Sequence, residues 1–298
     1  MASISALAFP VGTFLLRLIP RQAALSLGYL VADLFGLVCT SQRRAIDQNL
    51  RRTCRDASPA ERRRLRRATF RHFVGTWIDF LRVPLLTREA TLSLVRWRTS
   101  GHLDAALRRR TGVVIVTAHV GALDLAGIYL AALGYPISVV VEDIDPALYR
   151  VWTRYRALTG MRVLSRRRGA VAAYRALTRG EIVAVVSDRV IDGPGLEVDF
   201  CGDRRVVPTG PAAFALRTGA SVIVLRMTRR SDGAGYDLVT KPATLAGETI
   251  EDVTRSMASE LVSIIRQCPE QWFVFQPNWL GAHEAAPAEP AIVSPAGV

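Results

Sequence analysis

A histidine and a carboxylate five residues apart, within His119-Val120-Gly121-Ala122-Leu123-Asp124, are the pair in this chain whose types and spacing best suit acid–base chemistry. A carboxylate on one imidazole nitrogen fixes the tautomer and raises the basicity of the other, the arrangement for deprotonating a hydroxyl. The pair directly follows the β-branched run Val113-Val114-Ile115-Val116. Such a run reads as a buried central strand, and open α/β sheets place their ligands at the carboxyl ends of such strands. With a helix starting near Gly121, Asp124 falls in its first turn, and one tight bend brings its carboxylate to His119. A lone His near a lone Asp is often only structural; the place at a strand end favours chemistry here.

Other chemistries lack their residues. There is no G-x-S-x-G elbow for a serine nucleophile, no H-E-x-x-H, no P-loop, and Gly193 and Gly195 do not stand in dinucleotide-binding form. Cys39, Cys54, Cys201 and Cys268 lie far apart, so neither a zinc site nor a disulfide framework is expected, and no other metal centre. His72, His102 and His283 read as structural.

The elements that must position the pair follow from the pattern around it. From Thr111 onward strands and helices alternate: strand Val113 to Ala118, helix Gly121 to Leu133, strand Ile137 to Val141, helix Pro146 to Thr159, strand Met161 to Leu164, helix Ala170 to Leu177 and strand Ile182 to Val186. A helix opened by Thr209-Gly210-Pro211 and closed by Thr218-Gly219 follows, then strands at Val222 to Met227 and Tyr236 to Thr240, and a helix at Ile250 to Arg266. The fold class is therefore α/β, a central mixed β-sheet flanked by helices, behind a helical N-terminal section. Three parts are expected: a helical membrane-associating section over 1–100, the α/β core over 101–283, and a loose Ala/Pro-rich tail over 284–298.

In the first part, Ser58-Pro59-Ala60-Glu61 has the form of a capping box. The helix after it carries Leu65, Thr69, Phe70, Phe73, Trp77, Phe80 and Leu81 on one face, with Arg62, Arg63, Arg66, Arg67 and Arg71 around its first turns. That basic cluster is either a solvated face or a contact for anionic lipid headgroups. Upstream, the apolar stretch from Ile4 to Val38 is interrupted by Arg17, Arg21 and Asp33. The longest uncharged run inside it, from Ile4 to Leu16, falls short of the roughly 20 apolar residues a span needs, so two short helices lying on the interface, parted at Pro20, fit better.

The 298 residues carry 39 basic against 26 acidic side chains, a net charge of +13, and Lys241 is the single lysine. Arginine pairs bidentately with phosphate, so the partners of this surface should be anionic. Half of the residues are hydrophobic, which excludes a disordered chain.

The residues also carry a resemblance. The His119/Asp124 spacing matches the H-x4-D motif of glycerolipid acyltransferases, and the chain resembles the lipid A late acyltransferase family, most of all its phosphatidylinositol mannoside acyltransferase branch. The stretches that carry it are Ala118 to Gly127; Val141-Glu142-Asp143 with Tyr155-Arg156 and Gly160-Met161; Ser187-Asp188-Arg189; and Gly195 to Gly202, continuing through Pro208-Thr209-Gly210-Pro211-Ala212 to Arg217-Thr218-Gly219-Ala220. Pro269-Glu270-Gln271-Trp272 also looks like the family's. The resemblance implies that His119 is the general base on an acceptor hydroxyl that attacks an acyl thioester directly. It implies further that Asp124 orients His119, and that a second acid, at Asp199, reaches it. Glu142 and Arg156 match positions lining the acceptor site, and Arg156 or Arg189 would hold an oxyanion or phosphate, beside Asp188. Acyl-CoA or acyl carrier protein would be the donor substrate, with no other cofactor. The acceptor would be an anionic membrane glycolipid, met at the cytoplasmic face of the inner membrane by a peripheral or monotopic enzyme. Ala122-Leu123 stands where relatives often have a polar residue and Trp, and Cys201 where Phe is common, which leaves the acceptor open.

Three other readings stand beside this one. A lipid A-type or lysophospholipid acyltransferase would use the same base. A thioesterase would direct it at water. A non-catalytic binder of anionic surfaces would need only the charge, but the chain has no recognisable nucleic-acid module, so nucleic acid is not an expected partner.

Overall fold

The computed structural model describes residues 4–280 apart from 143–145, 167, 191–192 and 277. The expected tail over 284–298, His283 and Asp143 lie outside the described residues.

Four helices open the chain: α1 (Ile4–Arg17), α2 (Arg21–Val38), α3 (Thr40–Thr53) and α4 (Pro59–Arg82). The hydroxyl of Ser58 accepts from the backbone N–H of Glu61 at 3.1 Å, with Pro59 at the first helical position, as the capping pattern predicts. A short α5 (Arg88–Ser93) leads to β1 (Val95–Trp97), so the sheet begins inside the stretch expected to be wholly helical. Then come α6 (Ser100–Arg108), β2 (Val113–Thr117), α7 (Leu123–Ala132), β3 (Ile137–Val141), α8 (Pro146–Ala157), β4 (Arg162–Ser165), α9 (Ala170–Thr178) and β5 (Ile182–Val186). A hairpin of β6 (Gly195–Phe200) and β7 (Asp203–Pro208) precedes α10 (Gly210–Thr218), β8 (Ser221–Arg229), β9 (Tyr236–Pro242) and α11 (Ile250–Arg266). The expected boundaries agree to within a few residues. The hairpin was not legible as strands, because its glycines, prolines and charges mask the alternation.

Seven strands form one sheet in the order β1-β9-β8-β2-β5-β3-β4. All neighbours are parallel except β8 and β9, so the sheet is mixed, as expected. After β2 the chain builds to one side through β3, β4 and β5, then crosses to the other for β8. The carboxyl end of β2 is thus the point where the winding reverses, and a crevice opens at such a point.

Successive side chains of a strand point to opposite faces, and β2 is buried on both. Val114 and Val116 pack under α9, α10 and α11, through Leu177, Ala212, Leu261 and Ile265. Val113 and Ile115 pack against α4, α6, α7 and α8, through Phe80, Leu103, Ile128 and Trp152, with Phe9 of α1 joining them. The N-terminal helices are therefore keyed into the core rather than set apart from it.

A buried ionic cluster adds to this. Asp79 of α4 accepts from Arg21 at 2.7 and 2.8 Å, from Arg229 at 2.9 Å and from the Tyr236 hydroxyl at 2.7 Å. It fastens α2 and α4 to β8 and β9, and deleting the carboxylate would leave Arg229 charged and buried, costing roughly 3–5 kcal/mol. The arginines at the start of α4 are partly engaged as well. Arg66 pairs with Asp47, and Arg67 and Arg71 share Asp33.

The other side of α2 is unusual. Small residues, Ala24, Gly28 and Ala32, face α4, while Leu27, Leu30, Val31, Leu34, Leu37 and Val38 are exposed. At Gly28 an added Cβ would come within 2.3 Å of Ile78, which explains the close approach. No single described helix is long and apolar enough to cross a membrane; α2 and α3 together pass by composition but bend by 93°.

Candidate active site

Strands β2 and β5 pair with a constant register, Val113 opposite Ile182 through Thr117 opposite Val186. Ser187 N–H carries the ladder one step further to Thr117 O at 2.8 Å. Two residues past the last paired position the same register sets His119 beside Asp188. Their side chains meet there: His119 Nδ1 lies 2.7 Å from Asp188 Oδ1. Asp188 Oδ2 accepts from the His119 backbone N–H at 3.1 Å and from the Trp272 indole at 2.7 Å.

The segment carrying His119 is held at every step. The His119 carbonyl accepts from Phe273 N–H at 2.7 Å, Gly121 N–H donates to Gln271 O at 2.8 Å, and Ala122 N–H donates to Met227 O at 2.8 Å. Gly121 has φ +65°, and a Cβ there would stand 1.9 Å from Met227 O, so only glycine lets the loop lie on β8.

Asp188 is fully buried. Burial on its own raises a carboxyl's pKa, but the charge and hydrogen bond of His119, the charge of Arg205 and the Trp272 donor outweigh it and hold Asp188 well below the usual carboxylate range. An ionised carboxylate only accepts. Nδ1 of His119 therefore carries the proton towards Asp188, and Nε2 is the basic nitrogen.

His119 sits on a cleft of about 400 Å³ at the carboxyl ends of β2, β3 and β5. One arm runs back between α7 and the sheet past Ile115, Leu125, Val139 and Met161 to Leu130 and Ile137. Glu142 and Ile137, both lining the cleft, stand about 17 Å apart along β3 at about 3.3 Å per residue. Val185, Pro208, Pro211 and Phe214 line the cleft on the opposite face of the sheet. Phe73, Trp77 and Phe80 of α4 close the arm.

Two further ion pairs stand on the cleft wall. Arg156 Nε donates to Asp124 Oδ1 at 2.7 Å, and its guanidinium carbon lies 5.2 Å from the Trp152 ring centroid. Arg189 donates to Glu142 at 3.3 Å and to the Gln276 side chain at 2.9 Å. Burial raises the Glu142 pKa above its ordinary value, against the pull of Arg189 and His119.

Most of the residues predicted from sequence thus converge: His119, Asp124, Glu142, Arg156 and Arg189 line the cleft, and Asp188 lies behind His119. Two roles change. The carboxylate on the imidazole is that of Asp188, not Asp124, whose first-turn position on α7 turns it to Arg156. Asp199 does not reach His119. It alternates with buried Val198 and Phe200 on β6, so it points outward, and its carboxylate accepts from Gly202 N–H at 3.0 Å to close the hairpin turn.

These features can be set against known proteins. The model of the bacterial lipid A biosynthesis acyltransferase family matches residues 5–281. The chain belongs to this family. It is an acyltransferase. A phosphatidylinositol mannoside acyltransferase of Mycolicibacterium smegmatis is 27% identical over 219 residues, 72% of each chain. The enzyme of that name from Mycobacterium tuberculosis is 28% identical over 211 residues, 68% of this chain and 66% of the relative. A lipid A biosynthesis acyltransferase of Haemophilus influenzae is 24% identical over 173 residues, 57% of this chain and 54% of its own.

Several residues of the acyltransferase's site environment carry no sequence signal, among them Gln276, Arg205 and the cleft-lining Arg166. Gln276 follows an aromatic stretch that gives no polar signal. Arg205 is one of many arginines, and nothing in its neighbours marks it as buried. The role of Asp188, by contrast, was available in principle. Once β2 and β5 are paired, their register names the residue opposite His119.

Proposed function

We propose that the protein transfers a long-chain acyl group from an acyl thioester, acyl-CoA or acyl carrier protein, to a sugar hydroxyl of an anionic membrane glycolipid resembling a phosphatidylinositol mannoside. The observation that carries this is the His119–Asp188 dyad standing at the mouth of an apolar arm, in a chain of this family. The arm suits an extended acyl chain, and its mouth brings the thioester carbonyl to the base. Nε2 of His119 takes the acceptor hydroxyl proton as the oxygen attacks that carbonyl. The tetrahedral intermediate collapses with loss of the thiolate, which receives the proton back from His119. Asp188 stabilises the imidazolium between the two transfers. Arg156, fixed by Asp124, supplies positive charge for the oxyanion, worth about 3–4 kcal/mol per donor in comparable sites. Arg189 on the cleft wall, with Arg166 also lining the cleft, suits the acceptor's phosphate.

The exposed leucines and valines of α2 form an apolar face, and Phe14, Leu18 and Arg17 at the end of α1 are exposed as well. We assign this face to the bilayer surface from which the acceptor is drawn, at the cytosolic side, where thioester donors are found.

The test is transfer of radiolabelled palmitoyl-CoA to lipids extracted from a mycolic-acid-type actinobacterium and, separately, to lipid A precursors, with wild type and His119→Ala. Label on a phosphatidylinositol mannoside that falls by about 10³-fold or more in the variant is the expected result. Label on lipid A precursors alone would keep the base and change the acceptor. Equal transfer by both proteins would sink the catalytic reading.

A further inference from the structure

Behind Asp188 lies an arginine that the acyl-transfer chemistry does not touch. Arg205 of β7 has no solvent-exposed surface, and its Nε donates to the Asp188 carbonyl at 2.6 Å. Its guanidinium carbon stands 5.4, 5.2 and 5.0 Å from the ring centroids of Phe200, Trp272 and Trp279. Neither Nη1 nor Nη2 has a hydrogen-bond partner among the described residues. A buried cation without a carboxylate of its own is costly. Three aromatic faces and the charge of Asp188 are what offset the cost here.

The box around Arg205 is closed from the N-terminal section. Trp279 donates its indole N–H to Asn49 of α3 at 2.8 Å and carries Arg52 at 4.7 Å from its ring centroid, while Arg52 also holds Asp203. Trp272 faces both ways, with its ring against Arg205 and its N–H on the Asp188 carboxylate. The hairpin, α3 and the segment from Trp272 to Trp279 therefore converge on one cation, and that cation is bonded to the residue that orients His119.

We infer that Arg205 is a positioning residue: its buried charge and its Nε bond keep Asp188 ionised and fixed against Nδ1 of His119. The inference rests on the reading of His119 as that base. Among the described residues, the charged and titratable groups around the dyad include Arg205 and Arg189 behind and beside it, Glu142 and Arg166 on the β3 and β4 side, and the Asp124–Arg156 pair on the α7 and α8 side. Around Arg205 itself stand Asp188, Arg189, Arg52 and the Cys201 thiol. With Arg205 charged, the buried carboxylate of Asp188 stays ionised and keeps accepting from His119. Burial pulls Arg205 itself down to about 10, against the support of Asp188, so it remains charged at neutral pH.

The experiment follows the His119 ring directly by NMR in histidine-labelled protein, which has only four histidines to assign. Arg205→Met removes the charge, and Arg205→Lys keeps the charge but not the planar Nε donor. In Arg205→Met Asp188 loses its anchor, so the downfield Nδ1 proton resonance of the His119–Asp188 hydrogen bond is expected to be lost and kcat to fall at least tenfold at unchanged KM. In Arg205→Lys, which keeps the charge, the resonance should persist while kcat falls several-fold. An unchanged resonance in Arg205→Met overturns the inference, whatever the activity. Should Arg205→Met fail to fold, Arg205→Lys decides, and wild-type kcat there overturns it. A lost resonance in Arg205→Met when the wild type transfers no acyl group would leave the positioning role standing and remove the proposed function instead.

Discussion

Asp188→Asn is the substitution that most sharply separates the observed dyad from the H-x4-D spacing. The geometry allows the asparagine to fit almost isosterically. Its carbonyl oxygen can occupy the Oδ2 position and keep the donors His119 N–H and Trp272 Nε1. Its amide then falls at the Oδ1 position, 2.7 Å from His119 Nδ1. An amide N–H there donates, so Nδ1 must accept, and the proton moves to Nε2. The imidazole is present and correctly placed, but in the tautomer that cannot take a proton from the acceptor. A comparable tautomer error in a hydrolytic triad lowers kcat about 10⁴-fold, roughly 5.5 kcal/mol. Stability should fall less, by about 2–3 kcal/mol, because the loss is the counter-charge to Arg205 rather than packing. Asp124→Asn is the control: it releases Arg156 but leaves the His119 tautomer, and should cost about tenfold. The assay is acyl transfer from radiolabelled palmitoyl-CoA at saturating lipid, with ring nitrogen NMR reporting the tautomer. Asp188→Asn within tenfold of wild type, or Asp124→Asn as the worse of the two with an unchanged tautomer in Asp188→Asn, would refute the reasoning.

Three other outcomes are expected. Gly127 of α7 and Met161 both line the apolar arm, and a Cβ on Gly127 would lie 2.3 Å from the Met161 sulfur, so Gly127→Leu must drive Met161 into the arm. Donor-length competition should then show palmitoyl transfer reduced at least tenfold relative to octanoyl, and an unchanged ratio would dismiss the arm as the acyl site. Leu30→Glu with Leu34→Glu places two charges on the exposed face of α2; sedimentation with vesicles containing anionic lipid should show binding weakened more than tenfold with Tm unchanged, and wild-type sedimentation would dismiss that face as the membrane contact. His72 is pushed down to about 4 by burial and by the Arg229 charge. A folded-state value below the unfolded one of about 6.5 means that the neutral ring stabilises above that pH and that the contribution fades as pH falls towards 4. Its ceiling is about 3 kcal/mol, and partial exposure reduces the expectation to about 1–2. Urea titrations at pH 7 and pH 4.5 should show wild type losing that much more than His72→Gln, and equal losses would contradict the burial argument.

The helices and parallel strands of the core were legible because their signals are local. A β-branched run after Gly112, a capping serine before a proline and a Thr-Gly helix stop each act within a few residues. The site was legible where one residue lies at the end of such an element, as His119 does. It was misread where two distant elements had to meet. Asp124 is near His119 in sequence, but the first turn of α7 points it at α8. Asp188 is far away in sequence, and only the pairing of β2 with β5 brings it alongside. Arg205 shows the limit most plainly: its burial depends on aromatic rings from β6 and from the segment after α11, none of which is adjacent to it in the chain.

Helix α4 joins two tasks that are usually kept on separate parts of an enzyme. Phe73, Trp77 and Phe80 wall the cleft, while Gly75 and Ile78 lie against Arg229 and Gly28, where α2 and β8 are held. Phe9 of α1 sits edge-on to Trp77, Phe80 and Trp152, and Thr13 bonds to Tyr155 beside Arg156. Cutting away the first two helices, the obvious route to a form free of greasy surface, would take Phe9 from behind Trp77 and Phe80 and loosen the wall of the cleft. Solubility and turnover are thus set against each other by the architecture, and improving one by truncation must cost the other.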